Sequence, residues 1–405
     1  MAQQTMTGPG TSAGGLQGLA DRITGRGGRH ARVSGRRGPL SGVYLNQLIP
    51  SMLIVLLGVV IIWSASLVLD DANFTNHLIG IAIGLVAAVV IWRYDYRALA
   101  GMTTALFVLA CVLMVLPRVP GLGYTANGMT GWVKIGPLRF QPSEPAKIVV
   151  IFLMASACAQ YNGKIETFKD YAKLCGTLLV PLLLILTLDL GTGLIIFVIG
   201  ATIIICSGAP TKWVLATIAL IVAAAAFVIW ESTVDGWPHI LKTYQLNRLT
   251  VFLDPESDTS GSGYNLIQAK IAVGSGGLLG KGIGNATQAG SGFLPEAHTD
   301  FVFALFAETF GFVGCVVLLG LFAWMIVATV LLAMRLDNVF CKLLLVGCAA
   351  MWLFQVLENV GMCLGIMPIT GIPLPFVSYG SSSMVTQLMA VGVVQSVWRH
   401  RQKSA

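Results

Sequence analysis

Residues 293–333 read FLPEAHTDFVFALFAETFGFVGCVVLLGLFAWMIVATVLLA. The stretch opens polar, with Glu296, His298, Thr299 and Asp300 close together, and then turns apolar, with Glu308 the one charged residue in 301–333. A helix crosses a bilayer with about 20 apolar residues, so the run is long enough to span. Ten such segments occur along the chain, at about 46–69, 76–93, 100–116, 144–160, 172–188, 192–208, 213–230, 302–333, 343–366 and 384–398. They nearly exhaust the 405 residues, which are 56% hydrophobic and 11% charged, with a mean hydropathy of +0.80. A soluble domain carries roughly 25% charged residues, so the expected solvent is lipid. The predicted fold is an all-α polytopic membrane protein of about ten transmembrane helices, forming one membrane domain over residues 44–398.

Residues 1–43 hold six Arg and no apolar signal-peptide core, and they predict a disordered basic cytoplasmic tail. Each Arg near the surface adds about 1 kcal/mol of attraction to anionic lipid; no nucleic-acid partner is expected. Residues 399–405 form a second short basic tail. With both termini cytoplasmic, 17 of the 25 Lys and Arg fall inside, while 11 of the 18 acids fall outside. That bias follows the positive-inside rule. It places one large loop, 231–300, on the extracytoplasmic face. Seven of the eight Cys fall in predicted spans and Cys341 in an inner loop. They read as small apolar fillers rather than as a disulfide or metal framework.

Three outer stretches are dense in Gly and Pro: 117–146, 231–300 and 367–383. Irregular backbone at membrane depth survives only where protein or a water-filled cavity satisfies it. The three stretches therefore predict either a built site or stiff interhelical packing. Glu144 and Lys147 sit three apart at a helix start, as a capping ion pair or as part of that site. Asp189 lies at the outer end of the fifth span, and Glu308 and Glu358 lie within spans, where a charge marks function or a paired network. Tyr264, Ile267 and Ile271 recur at helical spacing and predict a short interfacial helix, with Lys270 off its apolar face. Six glycines then fall within 274–284 around Lys281. Ser275 and Gly282 break the P-loop pattern, which leaves a phosphate-cradling turn or a hinge. Thr299 is the expected N-cap of the eighth span, with Asp300 in its first turn.

The stretches GWVKIGPLRFQPSEPAK, LDLGT, YQLNR…FLDP, GYNLIQAKIAVGSGGLLGKG, FLPEAHTDFVFALFAETFGFVG and MPITGIPLPFVSYGSSS occur in order between about residues 45 and 398. Together they resemble the SEDS family of bacterial peptidoglycan glycosyltransferases. GGLLGKG and GIPLPFVSYG look closer to its rod-shape RodA branch than to the division FtsW branch. The chain departs from the family pattern at Thr187 and Leu188 before Asp189, at Ser381 after Gly380, and at Gly131 before Trp132.

The resemblance implies polymerisation of lipid II at the outer face of a bacterial cytoplasmic membrane. The 4-hydroxyl of one GlcNAc attacks C1 of a lipid-linked MurNAc, undecaprenyl pyrophosphate leaves, and a β-1,4 bond forms with inversion. Such a hydroxyl needs one general base about 3 Å away. The leaving group needs charge stabilisation rather than a proton. Asp300 is the candidate base, and Lys147, Arg248, Lys270 and Lys281 are the candidate pyrophosphate partners. Glu144, Glu296, His298, Thr299, Ser378, Tyr379 and Gly380 complete the candidate substrate site. A divalent cation, magnesium or manganese, is left open as a cofactor for the same task, although no His/Asp set has convincing ligand spacing. The resemblance also implies a class B penicillin-binding protein as transpeptidase partner within a cell-wall elongation complex. Two rivals stand. A lipid II flippase would use Glu308 and Glu358 as a relay across the bilayer, and a non-catalytic scaffold would need no Asp300 at all.

Overall fold

The computed structural model describes residues 42–69, 71–126, 129–135, 138–231, 251–252, 254–255, 258 and 261–401. Residues 1–41 and 402–405 of the expected tails lie outside this set, as does Arg248. Every one of the ten apolar segments forms a helix. In chain order the helices are α1 Leu45–Ser66, α2 Phe74–Arg93, α3 Thr103–Val115, α4 Ser143–Ala159, α5 Phe168–Leu186, α6 Leu190–Cys206, α7 Thr211–Glu231, α8 Ser262–Ser275, α9 Val302–Met334, α10 Val339–Leu364 and α11 Ser381–His400. Beyond the ten, α8 lies in the large outer loop, as does the single turn Thr287–Gly290. Among the described residues α1, α2, α7, α9 and α10 are long and apolar enough to cross a membrane. This is a multi-pass membrane protein.

Polar side chains set several helix starts. Asn73, Thr167, Asp189 and Asn338 each accept the backbone N–H three residues on, which satisfies a donor the helix itself cannot. At its far end α10 stops on Gly365, in the left-handed conformation that glycine adopts at little cost.

Helix α11 is the most polar of the ten, yet fourteen of its twenty residues are buried. Its neighbours, not lipid, satisfy it. Gln387 joins Trp352 Nε1 and Gln355, and Gln395 joins the Tyr44 backbone and Gln47. Small residues let it lie against α2: a Cβ at Gly80 would stand 2.9 Å from the Ser381 Cα, and one at Gly392 would stand 2.7 Å from the Ala88 carbonyl. Close backbone approach through small residues is how helices associate where lipid removes the hydrophobic drive. At the other extreme is α7, which buries none of its Thr211–Val228 window inside the protein.

Two expectations need correction. The fold is not all-α, because the first outer stretch carries a small antiparallel sheet of β1 Gly123–Ala126, β2 Met129–Ile135 and β3 Leu138–Phe140 in the order β1-β2-β3. Along β2, Gly131 and Val133 are buried while Lys134 is exposed. That period of two fits a strand, and a count of membrane-length apolar runs passes over it. The short helix predicted around Tyr264, Ile267 and Ile271 is present as α8; it buries Gly263, Leu266, Ala269 and Ala272 against protein and leaves Ile271 exposed. Its small-residue face, not its large apolar one, packs on α9 and α10. Finally, Cys341 lies in the first turn of α10 rather than in a loop; all eight cysteines are free.

The helix predicted from the opening stretch is broken. At Gly311 of α9 the backbone turns to φ 65° and ψ −167°. Into this break comes the glycine-rich segment 274–284. Lys281 and Gly282 N–H groups donate to the Glu308 and Thr309 carbonyls, and Phe312 and Val313 N–H groups donate to the Gly277 and Leu278 carbonyls. The loop thus supplies the hydrogen bonds that the broken turn loses. Its glycines serve close approach, since a Cβ at Gly276, Gly280 or Gly311 would fall between 2.0 and 2.3 Å from a backbone atom across the junction. The segment 312–334 after the break is by itself long enough to cross a hydrocarbon core of about 30 Å. Gly311→Ala is expected to lower stability by about 1–3 kcal/mol, read as apparent melting temperature in detergent. Gly320→Ala in the same helix meets nothing within 4 Å and is expected to leave it unchanged or slightly raised; equal melting of both variants would remove the steric role of the junction.

Candidate active site

The third outer stretch folds back over the HTD segment and is stapled there. Asn359 of α10, fully buried, donates from Nδ2 to the Asp300 carbonyl (2.7 Å) and the Ile372 carbonyl (2.8 Å). The Ser378 hydroxyl donates to the Thr299 carbonyl (2.7 Å) and accepts from Leu374 N–H (2.8 Å). Tyr379 N–H donates to the His298 carbonyl (2.9 Å). So Ser378, Tyr379, His298, Thr299 and Asp300, 79 positions apart at the Ser378–Thr299 bond, form one unit.

Within it Asp300 precedes α9 rather than sitting in its first turn, and Thr299 is not the N-cap. The cap position is Phe301, which makes no side-chain cap bond. The Thr299 hydroxyl instead donates to the Glu296 carboxylate (2.8 Å). Glu296, at φ 52°, gathers the N–H groups of Thr299, Asp300 and Phe301 on its own carbonyl. This tight turn is the local device that aims residues 298–300.

Asp300 is half-buried. A Cβ at Gly371, where φ is 72°, would stand 3.2 Å from its Oδ2. Glycine there lets the third stretch approach the carboxylate closely. The LDLGT motif arrives from another side: Asp189 caps α6 through the Thr192 N–H (3.1 Å) and hydroxyl (2.6 Å), and a Cβ at Gly191 would stand 2.9 Å from the Thr370 carbonyl. Thr370 in turn donates to Glu358. Lys270 is exposed on α8, and its Nζ is 3.6 Å from where a Gly365 Cβ would be, at the end of α10. Ser381 is the first helical residue of α11 and bonds to the Asn76 carbonyl (3.3 Å). The departure after Gly380 therefore asks nothing unusual of its backbone.

His298 is buried, with its ring centroid 5.2 Å from that of Tyr379 and Nδ1 4.0 Å from Asp71 Oδ1. Burial lowers its pKa below the ordinary 6.5, against a smaller upward pull from Asp71 and Glu296. The neutral ring is therefore the folded form. An unfolded chain takes up the proton first, so stability falls as pH drops below about 6.5. His298→Gln is expected to flatten part of that slope in melting curves taken between about pH 5 and 7; an unaltered slope would show that His298 does not carry it.

The remaining predicted cations are differently engaged. Lys147 is fully buried and pairs with Glu144 at 2.8 Å on α4. Lys281 pairs with the buried Glu308 at 2.6 Å and donates to the Thr287 hydroxyl. Both acids within spans thus meet residues of the outer stretches: Glu308 meets Lys281 and Glu358 meets Thr370. Asn359, which the sequence reading passed over, is the buried clamp of the site. The signal for it was an amide next to Glu358 in a span whose one other amide is Gln355. Among the described residues no three His, Cys, Asp or Glu side chains gather as metal ligands.

This arrangement has relatives. Peptidoglycan glycosyltransferase MrdB of Escherichia coli (strain K12) is 36% identical over 360 residues, covering 87% of this chain and 94% of its own length. Stage V sporulation protein E of Bacillus subtilis (strain 168) is 32% identical over 359 residues, covering 86% and 95%. A solved chain from a peptidoglycan synthase complex, determined for its structural coordination of polymerization and crosslinking, superimposes with a TM-score of 0.76 at 30% identity, over 89% of this chain and 99% of that one. The rod shape determining protein RodA of Thermus thermophilus does so at 0.65 and 28%, over 89% and 98%. The sequence profile of the FtsW/RodA/SpoVE family, described as cell cycle protein, matches residues 45–403. By that match over most of its length, this chain belongs to the FtsW/RodA/SpoVE family.

Proposed function

We infer that the protein is a peptidoglycan glycosyltransferase. It polymerises lipid II into β-1,4-linked glycan on the outer face of the bacterial cytoplasmic membrane, in cell elongation and shape. One observation carries the reading: α10 and the third outer stretch staple the backbone of residues 298–300, and Gly371 of that stretch lies beside the half-buried Asp300 carboxylate at the head of a broken helix. Asp300 is the general base that takes the proton from the attacking 4-hydroxyl as C1 inverts. Lys270, exposed beside the third stretch, is the described cation best placed to hold the leaving pyrophosphate. The mouth position lets the polyprenyl tail stay in lipid while the head group reaches Asp300. The termini are cytoplasmic and ten helices cross the membrane. Among the described residues no set of side chains gathers as metal ligands, and no step is assigned to a metal. A class B penicillin-binding protein supplies crosslinking, in line with the complex from which a structural neighbour comes.

The flippase reading is weaker. It needs a polar path across the bilayer, whereas the partners of Glu308 and Glu358 come from the outer stretches. The test is polymerisation of purified lipid II by the protein with its transpeptidase, alongside a lipid II flipping assay in vesicles. Glycan without flipping supports the reading; flipping without glycan overturns it.

A further inference from the structure

Glu308 was the one charge in an otherwise apolar run, and its surroundings give it a task. The side chain is fully buried, so it touches no substrate. Its Oε1 receives Lys281 Nζ at 2.6 Å, the Thr287 hydroxyl at 3.0 Å, Gln288 N–H at 3.1 Å and the Ser275 hydroxyl at 3.5 Å. The Glu308 carbonyl also takes the Lys281 N–H at 2.9 Å. One residue of α9 therefore gathers the end of α8, the glycine-rich segment and the turn Thr287–Gly290.

From that turn the bonds lead to the site. The Gln288 carbonyl accepts from Phe293 and Leu294 N–H, both at 3.1 Å. Leu294 and Ala297 are buried beneath the segment, and the Glu296 carbonyl then gathers residues 299–301. Asp300 is thus reached from Glu308 in two ways: along α9, and through Gln288 and residues 293–299. A buried carboxylate keeps its charge only with a partner, and Lys281 is that partner.

We propose that Glu308 and Lys281 are a positioning pair that holds the segment 285–300, and with it Asp300, in register against the third outer stretch. Lys281 acts on the protein and not on the pyrophosphate. The proposal rests on Asp300 as the base, and its test is chosen to be separable from that reading. Lys281→Met, Lys281→Arg, Glu308→Gln and the apolar double variant Lys281→Met/Glu308→Met would be purified. Each would be compared with wild type in kcat and KM for lipid II, and in amide hydrogen exchange without substrate.

The expected result is a drop in kcat of at least about tenfold for Lys281→Met and Glu308→Gln, with KM within about twofold. Lys281→Arg should restore most of it. The double variant, which buries no unpaired charge, should fold and be no worse than the poorer single one. Exchange should quicken in 285–300 and stay unchanged in 339–364. A raised KM with unchanged kcat and unchanged exchange for Lys281→Met would overturn the proposal and return Lys281 to the substrate. Exchange needs no turnover, so an inactive wild type would sink the polymerase reading while exchange still decided the pair.

Discussion

Asp300→Asn is expected to lower lipid II polymerisation by about 100- to 10,000-fold, the range set by removing a general base, while leaving the fold intact. The substitution keeps the side chain's shape and removes its basicity. The carbonyls of residues 298–300 receive Tyr379 N–H, the Ser378 hydroxyl and Asn359, and the substitution leaves them in place. The variant therefore tests chemistry rather than architecture. The measurement is glycan chain formation by the purified protein with its transpeptidase, with melting curves to show matched folding. Chains made at the wild-type rate by a folded variant would strip Asp300 of its role and bring the scaffold reading forward. Lengthening to Glu should not rescue fully, because it moves the carboxylate about one bond away from where the backbone of residues 298–300 holds it.

The largest stability effect should come from Lys147→Met. Lys147 is fully buried and its ammonium is 2.8 Å from Glu144 Oε1, itself nearly as enclosed. Removing the cation strands a carboxylate in the interior, at a cost of about 3–5 kcal/mol. Replacing both residues, as in Glu144→Leu/Lys147→Met, should recover much of that loss, since no charge remains to desolvate. Apparent melting temperature in detergent reads the effect; a single variant that melts like wild type would contradict the burial. The folded double variant also separates two roles. Full polymerisation would make the pair structural, and loss of activity with regained stability would place it in the substrate site anticipated from its spacing.

The ten helices were legible because lipid imposes a simple demand: about 20 apolar residues in a row. Ser378, Tyr379, His298, Thr299 and Asp300 were legible as a group through their motifs. Other features were hidden for nameable reasons. β2 alternates with a period of two inside a loop too short and polar to register as a span. The Thr299 cap failed because a positive φ at Glu296 turns residues 299–301 onto one carbonyl, leaving the Thr299 hydroxyl for the Glu296 carboxylate. The glycines of 274–284 read equally as a phosphate turn or a hinge. Nothing local could say that they fill a break at Gly311, whose partners lie about 30 residues further along the chain.

By itself the sequence determined the membrane setting and the ten apolar segments that fold as helices, since each depends on composition within a short window. The tertiary structure decided which charges are spoken for. Lys281 looks like a free cation in sequence and Lys147 reads equally as a site residue or half of an ion pair; buried carboxylates claim both, while Lys270 stays exposed near the end of α10. It also decided that Asn359 clamps Asp300 to the third stretch. Such pairings depend on which backbones meet across a fold, and on the high cost of leaving a buried polar group without a partner; neither is written in the spacing of residues along one chain.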